Sequence, residues 1–185
     1  MDAALVCVQN DGDLTMSAVA RAAGLSRVTI HAHFPTREAL VAAVVHRAVS
    51  TASTMLDDAA IDEGPTRDAL ARLLRSSWQA LSRFRNLHAV ASSVLSPAEL
   101  HRRHEPLLGP LHDLVSRGQA EGDFRTDLPQ DWLVATTLTL LHLAAEQVHA
   151  GQLSHDEAGD VVTATVLSVF HSSPPNPQPS NPQGD

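Results

Sequence analysis

The chain has 185 residues, which is enough to bury a hydrophobic core in one compact unit or in two small ones. Its single cysteine, Cys7, excludes an internal disulfide, so nothing argues for an oxidising compartment. The sequence has no apolar run of about 18 residues and no signal-peptide pattern, so we expect a cytoplasmic protein without a membrane span. Taken over the whole chain, the net charge of −8 would disfavour binding to nucleic acid.

The charge is unevenly distributed along the chain. Residues 15–50 contain four arginines and one glutamate, a net charge of +3, so the acidic excess lies elsewhere. Ionic screening limits electrostatic attraction to about 10 Å, and the local sign of charge therefore decides attraction to phosphate groups. Because the chain has no lysine, arginine must make every charged phosphate contact.

The strongest motif lies between residues 14 and 40, LTMSAVARAAGLSRVTIHAHFPTREAL. Thr15 can cap a first helix, Met16–Ala23, which Gly24 ends because glycine readily takes a positive φ. A serine then caps a second short helix, Arg27–His33, and a Phe-Pro pair stops it. Two helices joined by such a turn form a helix-turn-helix, whose second helix enters the DNA major groove.

This stretch resembles the DNA-binding segment of the TetR family of transcriptional regulators. The likeness is carried by the Thr15 cap, the run AGLS at 23–26, the pair TI at 29–30 and the run HFPT at 33–36. A general helix-turn-helix pattern is a weak signal, whereas an ordered string of this length is much more specific.

The resemblance implies an all-α fold with two domains. Residues 1–47 would form a three-helix helix-turn-helix DNA-binding domain, and residues 48–171 would form a helical bundle for ligand binding and dimerisation. The implied function is a ligand-responsive regulator, a repressor, that binds a palindromic operator as a homodimer and responds to an unknown small-molecule inducer. Residues 172–185 are polar and rich in proline, and we expect them to be disordered.

Two groups of residues are expected to contact double-stranded operator DNA. The first turn of the second helix should face base edges, because recognition helices usually touch bases there; its residues are Arg27, Val28 and Thr29. The phosphate contacts are expected from Thr15, His31, His33 and Arg37. His31 stands where the resembled family usually has a tyrosine, but a neutral imidazole can still donate one hydrogen bond.

One departure from the family pattern leaves an alternative function open. The sequence begins within what resembles the middle of the family's first helix, and the usual basic stretch before it is missing. The alternative is a helical dimer that binds a small molecule and has weak or no affinity for DNA.

The remainder of the chain is predicted to be helical. A long helix should run from Ala39 to about Ala59, and we expect a ligand pocket between the helices that start near Thr66, Arg85 and Pro106, as their order in the resembled family implies. Tryptophan and histidine can each offer one polar group on an otherwise apolar face of such a pocket. The expected lining comprises Leu74, Trp78, Leu81, His88, Leu108 and His112.

The last two helices, 132–150 and 154–171, have a surplus of apolar surface. The first is apolar or small nearly all round, and the second carries a wide apolar stripe at helical spacing. Both helices could simply pack in the monomer core. The resemblance implies that they also pair across a two-fold axis into a four-helix bundle, which makes the homodimer.

Catalytic and metal-binding patterns are weak, and we expect no enzyme and no cofactor. The sequence has no nucleophile-elbow signature. His101 and His104 are three residues apart on a helix and could share a metal ion, but cysteines are few and no His-x-x-x-His pair stands out. We therefore expect no metal site.

Overall fold

The computed structural model describes residues 2–11 and 14–171, and every element in these ranges is helical. The all-α prediction is therefore confirmed, whereas the predicted disordered tail, 172–185, lies outside the described residues. In chain order the helices are α1 (Asp2–Asp11), α2 (Met16–Ala23), α3 (Arg27–His33), α4 (Arg37–Asp57), α5 (Thr66–Val94), α6 (Pro97–His104), α7 (Gly109–Glu121), α8 (Gln130–His149) and α9 (His155–Phe170), with a short 3₁₀ turn, Glu105–Leu107, between α6 and α7.

Local caps delimit the helices of the DNA-binding motif. The Thr15 hydroxyl accepts a hydrogen bond from the backbone N–H three residues later at 3.2 Å, and Gly24 closes α2 with φ of 65°. Ser26 caps α3 and Thr36 caps α4 in the same way, at 3.0 and 3.1 Å. Each cap satisfies a backbone N–H that has no partner within its helix, so the sequence determines these boundaries locally.

Two hydrophobic cores share the helices α4 and α5. The N-terminal core joins α1, α2 and α3 to most of α4 and to the last turns of α5. The C-terminal core joins the end of α4 and the first half of α5 to α7, α8 and α9. Full burial of one valine or leucine side chain stabilises a fold by about 1.5–3 kcal/mol. Because α4 and α5 each contribute buried side chains to both cores, these two helices hold the two parts of the chain together.

Helix α5 differs from the sequence-based expectation in two respects. The second helix predicted to start at Arg85 does not exist, because α5 is one helix of 29 residues. Its buried series continues from Leu70 to Ala91, and no glycine or proline interrupts it. The sequence also predicts Thr66 as the N-cap of this helix, whereas Thr66 lies in its first turn and its hydroxyl donates to Oδ2 of Asp123 at 2.5 Å.

Among the described helices, α4 is the one that is long and apolar enough to cross a membrane by length and composition alone. Its apolar side is covered by protein, since Leu40, Val41 and Val44 are all 0% exposed in the N-terminal core. The core helix of a soluble protein passes the same test, so α4 is consistent with a soluble protein.

Close aromatic packing holds the segment that follows α7. The Phe124 N–H donates to the Gly118 carbonyl at 3.0 Å, and the Phe124 ring meets Phe170 edge-on with centroids 5.1 Å apart. Gly118 is buried beneath the Phe124 ring, where an added Cβ would overlap the ring atoms. This position therefore requires glycine for close packing.

Gly118→Ala should destabilise the protein even though alanine is favoured over glycine in a helix by about 1 kcal/mol. We expect a net loss of about 1–3 kcal/mol in the free energy of unfolding, as for other overpacked cores, measured by urea denaturation. Gly109→Ala on the same helix is the matched control, since a Cβ there meets no atom within 4 Å. Equal stability of the two variants would contradict the packing argument.

Candidate DNA-binding surface and ligand cavity

Helix α3 is held by its single buried residue, Ile30, while its first turn is in solvent. Arg27 is exposed and Val28 is 78% exposed. Leu25, in the turn before α3, is 49% exposed and was not among the predicted contacts. An arginine beside exposed apolar side chains can meet a guanine edge and a thymine methyl group in the major groove.

The residues predicted to contact DNA all lie on the surface of the N-terminal unit. Thr29 is half-buried, and its hydroxyl lies 2.8 Å from that of Ser26, so it takes part in the helix cap. Arg27 and Arg37 form no ion pair within the described part of the chain, which leaves both guanidinium groups available to phosphates or bases. The other predicted contacts, which are exposed, are Thr15, Val28, His31 and His33.

A cavity of about 390 Å³ lies where α4, α5, α6 and α8 meet. Its volume is in the range of small-molecule sites, and its wall is mostly apolar. Three of the six predicted lining residues border it, namely Leu81, His88 and Leu108. The cavity also touches residues on the far half of α4, including Ala48 and Ala52.

Leu74, Trp78 and His112, which were predicted to line the ligand pocket, do not border this cavity. Trp78 is buried against α9, where its indole N–H donates to the His155 carbonyl at 3.2 Å. Leu74 is 1% exposed in the C-terminal core. His112 lies where α7 meets α8, and its backbone carbonyl accepts from the Gln130 side chain at 2.7 Å.

The phase of α5 explains this difference. Ser77, Leu81, Phe84 and His88 follow one another at intervals of three or four residues and face the cavity. Leu74 and Trp78 lie on the adjacent face of α5, which packs in the C-terminal core. Helical periodicity indicates which residues are buried, but it does not distinguish a packed neighbour from an empty space.

Three histidines meet at the cavity from three different helices. The ring centroid of His88 lies 6.2 Å from that of His104 and 5.6 Å from that of His142. Burial holds the pKa of His88 below its ordinary value of 6.5, and the neighbouring His142 and His104 lower it further. Neither His104 nor His142 was among the residues predicted from sequence to bind a ligand.

The described residues contain no group of three or more His, Cys, Asp or Glu side chains that could hold a metal ion. Of the pair considered from sequence, His104 borders the cavity, and the side chain of His101 lies outside what the structure describes.

Helices α8 and α9 carry apolar side chains on their solvent side. Trp132 is 62% exposed, and Leu143 and Val161 are each 46% exposed. The opposite sides of both helices are buried in the C-terminal core, and these three exposed side chains are not part of that core.

The model of the family described as bacterial regulatory proteins, tetR family, matches residues 2–44, which contain α1 to α3 and the start of α4. This segment is therefore similar to the N-terminal helix-turn-helix part of TetR-family regulators. A comparison with the curated proteins finds no match to the chain.

Solved structures of TetR regulators share the fold over nearly the whole chain. A putative TetR-family transcriptional regulator from Rhodococcus sp. has a TM-score of 0.77 at 20% identity, covering 92% of this chain and 95% of that one. The TetR-like regulator LfrR from Mycobacterium smegmatis, in complex with proflavine, gives 0.68 at 20%, covering 93% and 94%. The regulator FadR from Bacillus subtilis, in complex with stearoyl-CoA, gives 0.71 at 18%, covering 92% and 97%. At these identities the likeness establishes the fold.

The lowered pKa of His88 predicts a loss of stability in acid. Between its folded pKa and 6.5 the unfolded chain binds more protons at this residue than the folded one, so stability falls as the pH drops below 6.5. Urea denaturation of the TetR-fold chain at pH 8 and pH 5.5 should show this fall, and His88→Leu should reduce it. His149→Leu, on the exposed end of α8, is the control and should leave the fall unchanged. An equal fall in wild type and His88→Leu would remove His88 as its source.

Proposed function

We propose that the chain is a ligand-responsive transcriptional repressor of the cytoplasm, without enzymatic activity, that binds palindromic operator DNA as a homodimer. One observation carries the proposal: only three residues separate α3 from α4, and the far half of α4 forms a wall of the cavity. A molecule in the cavity therefore touches the helix that is continuous with the DNA-reading unit.

Coupling between the two sites follows from α4 if the protein has two arrangements. A ligand that prefers the arrangement with misplaced recognition helices must weaken DNA binding, and DNA must weaken ligand binding by the same factor. The chain shares its fold with LfrR, solved with proflavine, and FadR, solved with stearoyl-CoA, so a small-molecule inducer is a reasonable occupant of the cavity.

The exposed first turn of α3 is the proposed base-reading element. Arg27 would read a guanine edge, and Val28 with Thr29 would contact neighbouring bases. Arg37, at the start of α4, would contact a phosphate together with Thr15, His31 and His33.

Exchanging the two arginines for alanine should separate these roles. Arg27→Ala should cost about 1–3 kcal/mol on an operator selected from a random DNA pool and should relax sequence preference. Arg37→Ala should weaken all sequences alike and reduce the slope of log K against log salt by about one. Fluorescence anisotropy over a salt series measures both effects.

Equal losses on operator and random DNA for Arg27→Ala would remove this residue from the base-reading set. Failure of the wild type to bind any selected DNA would favour the alternative function, a small-molecule-binding dimer.

The proposed dimer interface is the exposed apolar side of α8 and α9. Trp132, Leu143 and Val161 are large apolar side chains in solvent on two adjacent helices, and a two-fold contact would bury them in a four-helix bundle. Such a dimer would also set two recognition helices about 34 Å apart, one DNA turn, which suits a palindromic operator.

Leu143→Glu combined with Val161→Glu should convert the dimer to monomers at micromolar concentration, because each change would bury an unpaired carboxylate in the interface. Sedimentation velocity measures the mass. Ser116→Glu, on the exposed side of α7, is the control and should remain dimeric. A wild-type monomer in the same experiment would refute the interface.

A further inference from the structure

The polar side chains of the cavity are few and share one chemistry. Ser77 and three histidines, His88, His104 and His142, are the polar residues of the described lining, which contains no carboxylate and no arginine. The three imidazoles are close enough to act on one ligand group, since both flanking ring centroids lie within 6.2 Å of His88. His88 and His104 are half-buried, and His142 is exposed at the edge of the cavity.

Backbone hydrogen bonds select the tautomer of two of these rings. Nδ1 of His104 lies 2.7 Å from the Leu100 carbonyl, and Nδ1 of His142 lies 2.8 Å from the Leu138 carbonyl. A carbonyl oxygen can only accept, so Nδ1 must carry the hydrogen in both rings. The Nε2 atom of each neutral ring is then a hydrogen-bond acceptor.

His88 supplies the complementary group. Its ring forms no hydrogen bond within the described part of the chain, although the residue is half-buried. Burial and the two neighbouring histidines favour its neutral form, which has one N–H donor and one acceptor. The Nε2 atoms of His104 and His142 therefore offer two acceptors and His88 offers one donor, in a described lining that contains no carboxylate and no arginine.

We propose that the cavity selects an uncharged, largely apolar molecule with a hydroxyl group, whose O–H donates to Nε2 of His104 or His142 and whose oxygen accepts the N–H of His88. The inference rests on the proposed ligand-binding role of the cavity and names the class of ligand. A hydrocarbon would leave the imidazoles unpaired, a carboxylate would face acceptor lone pairs, and an ammonium ion would find no carboxylate partner.

Three naphthalene compounds of similar size test this assignment on the full-length protein by calorimetric or fluorescence titration at pH 7.5. The compound 2-naphthol carries the O–H, 2-methoxynaphthalene lacks the donor, and 2-naphthoate carries a charge. We expect 2-naphthol to bind at least tenfold more tightly than either of the others, since an acceptor that a bound ligand shields from water and leaves unpaired costs about that much.

Two variants test which histidines cause the preference for 2-naphthol. In His104→Leu/His142→Leu the advantage of 2-naphthol over 2-methoxynaphthalene should fall to within about twofold, while the affinity for 2-methoxynaphthalene itself stays within threefold. His112→Leu, a histidine outside the cavity, should keep the full preference. The comparison of compounds on the wild type needs no variant and stands even if the double variant does not fold.

Several results would overturn the inference. They are equal binding of 2-naphthol and 2-methoxynaphthalene, tighter binding of 2-naphthoate, a preference that survives in the double variant, and no binding of any of the three. Operator binding by the ligand-free protein is measured separately. If the protein prefers 2-naphthol but binds no DNA, the proposed function is contradicted and this inference is not. If it binds DNA but does not prefer 2-naphthol, this inference is contradicted and the proposed function is not.

Discussion

The buried side of α4 is the constraint on which the rest of the structure depends. Leu40 and Val44 pack in the N-terminal core, Leu56 packs in the C-terminal core, and Ala48 and Ala52 form part of the cavity wall between them. One regular helix therefore joins the DNA-reading unit, the cavity and the second core. A shift of α4 cannot be confined to one of these places, because close-packed cores transmit displacement and do not absorb it.

Helix α5 makes the same connection from the other side of the cavity. Its first half belongs to the C-terminal core, and Leu87 and Ala91 near its end belong to the N-terminal core. Phe84 and His88 face the cavity between these two parts. The cavity is thus bounded by the two helices that both cores share, which is where an added ligand can alter their relative position.

The histidine cluster departs from the usual chemistry of a core. Three imidazoles border a mostly apolar cavity without a carboxylate partner, and burial together with the neighbouring His142 and His104 lowers the pKa of His88. A sequence selected for stability alone would place apolar side chains there. Such local departures from the rules of core packing are expected at functional sites.

The sequence by itself determined the DNA-binding unit and the all-α fold. The caps at Thr15, Ser26 and Thr36 and the left-handed turn at Gly24 act on neighbouring backbone groups, so their effects can be read from a few adjacent residues. The family resemblance of residues 14–40 has the same local origin, and the match of residues 2–44 confirms it. The seven residues predicted to contact DNA lie on this unit, and their individual roles in DNA binding remain predictions.

Only the tertiary structure decided the position and lining of the cavity. Leu74, Trp78, Leu81 and His88 were all predicted to line a pocket, but burial against α9 and burial against a cavity have the same signature in sequence. His104 and His142 are 38 positions apart in the chain and meet around His88 only because α6 and α8 pack against α5 from different sides. That meeting depends on the directions of three helices, and no local rule of sequence specifies it.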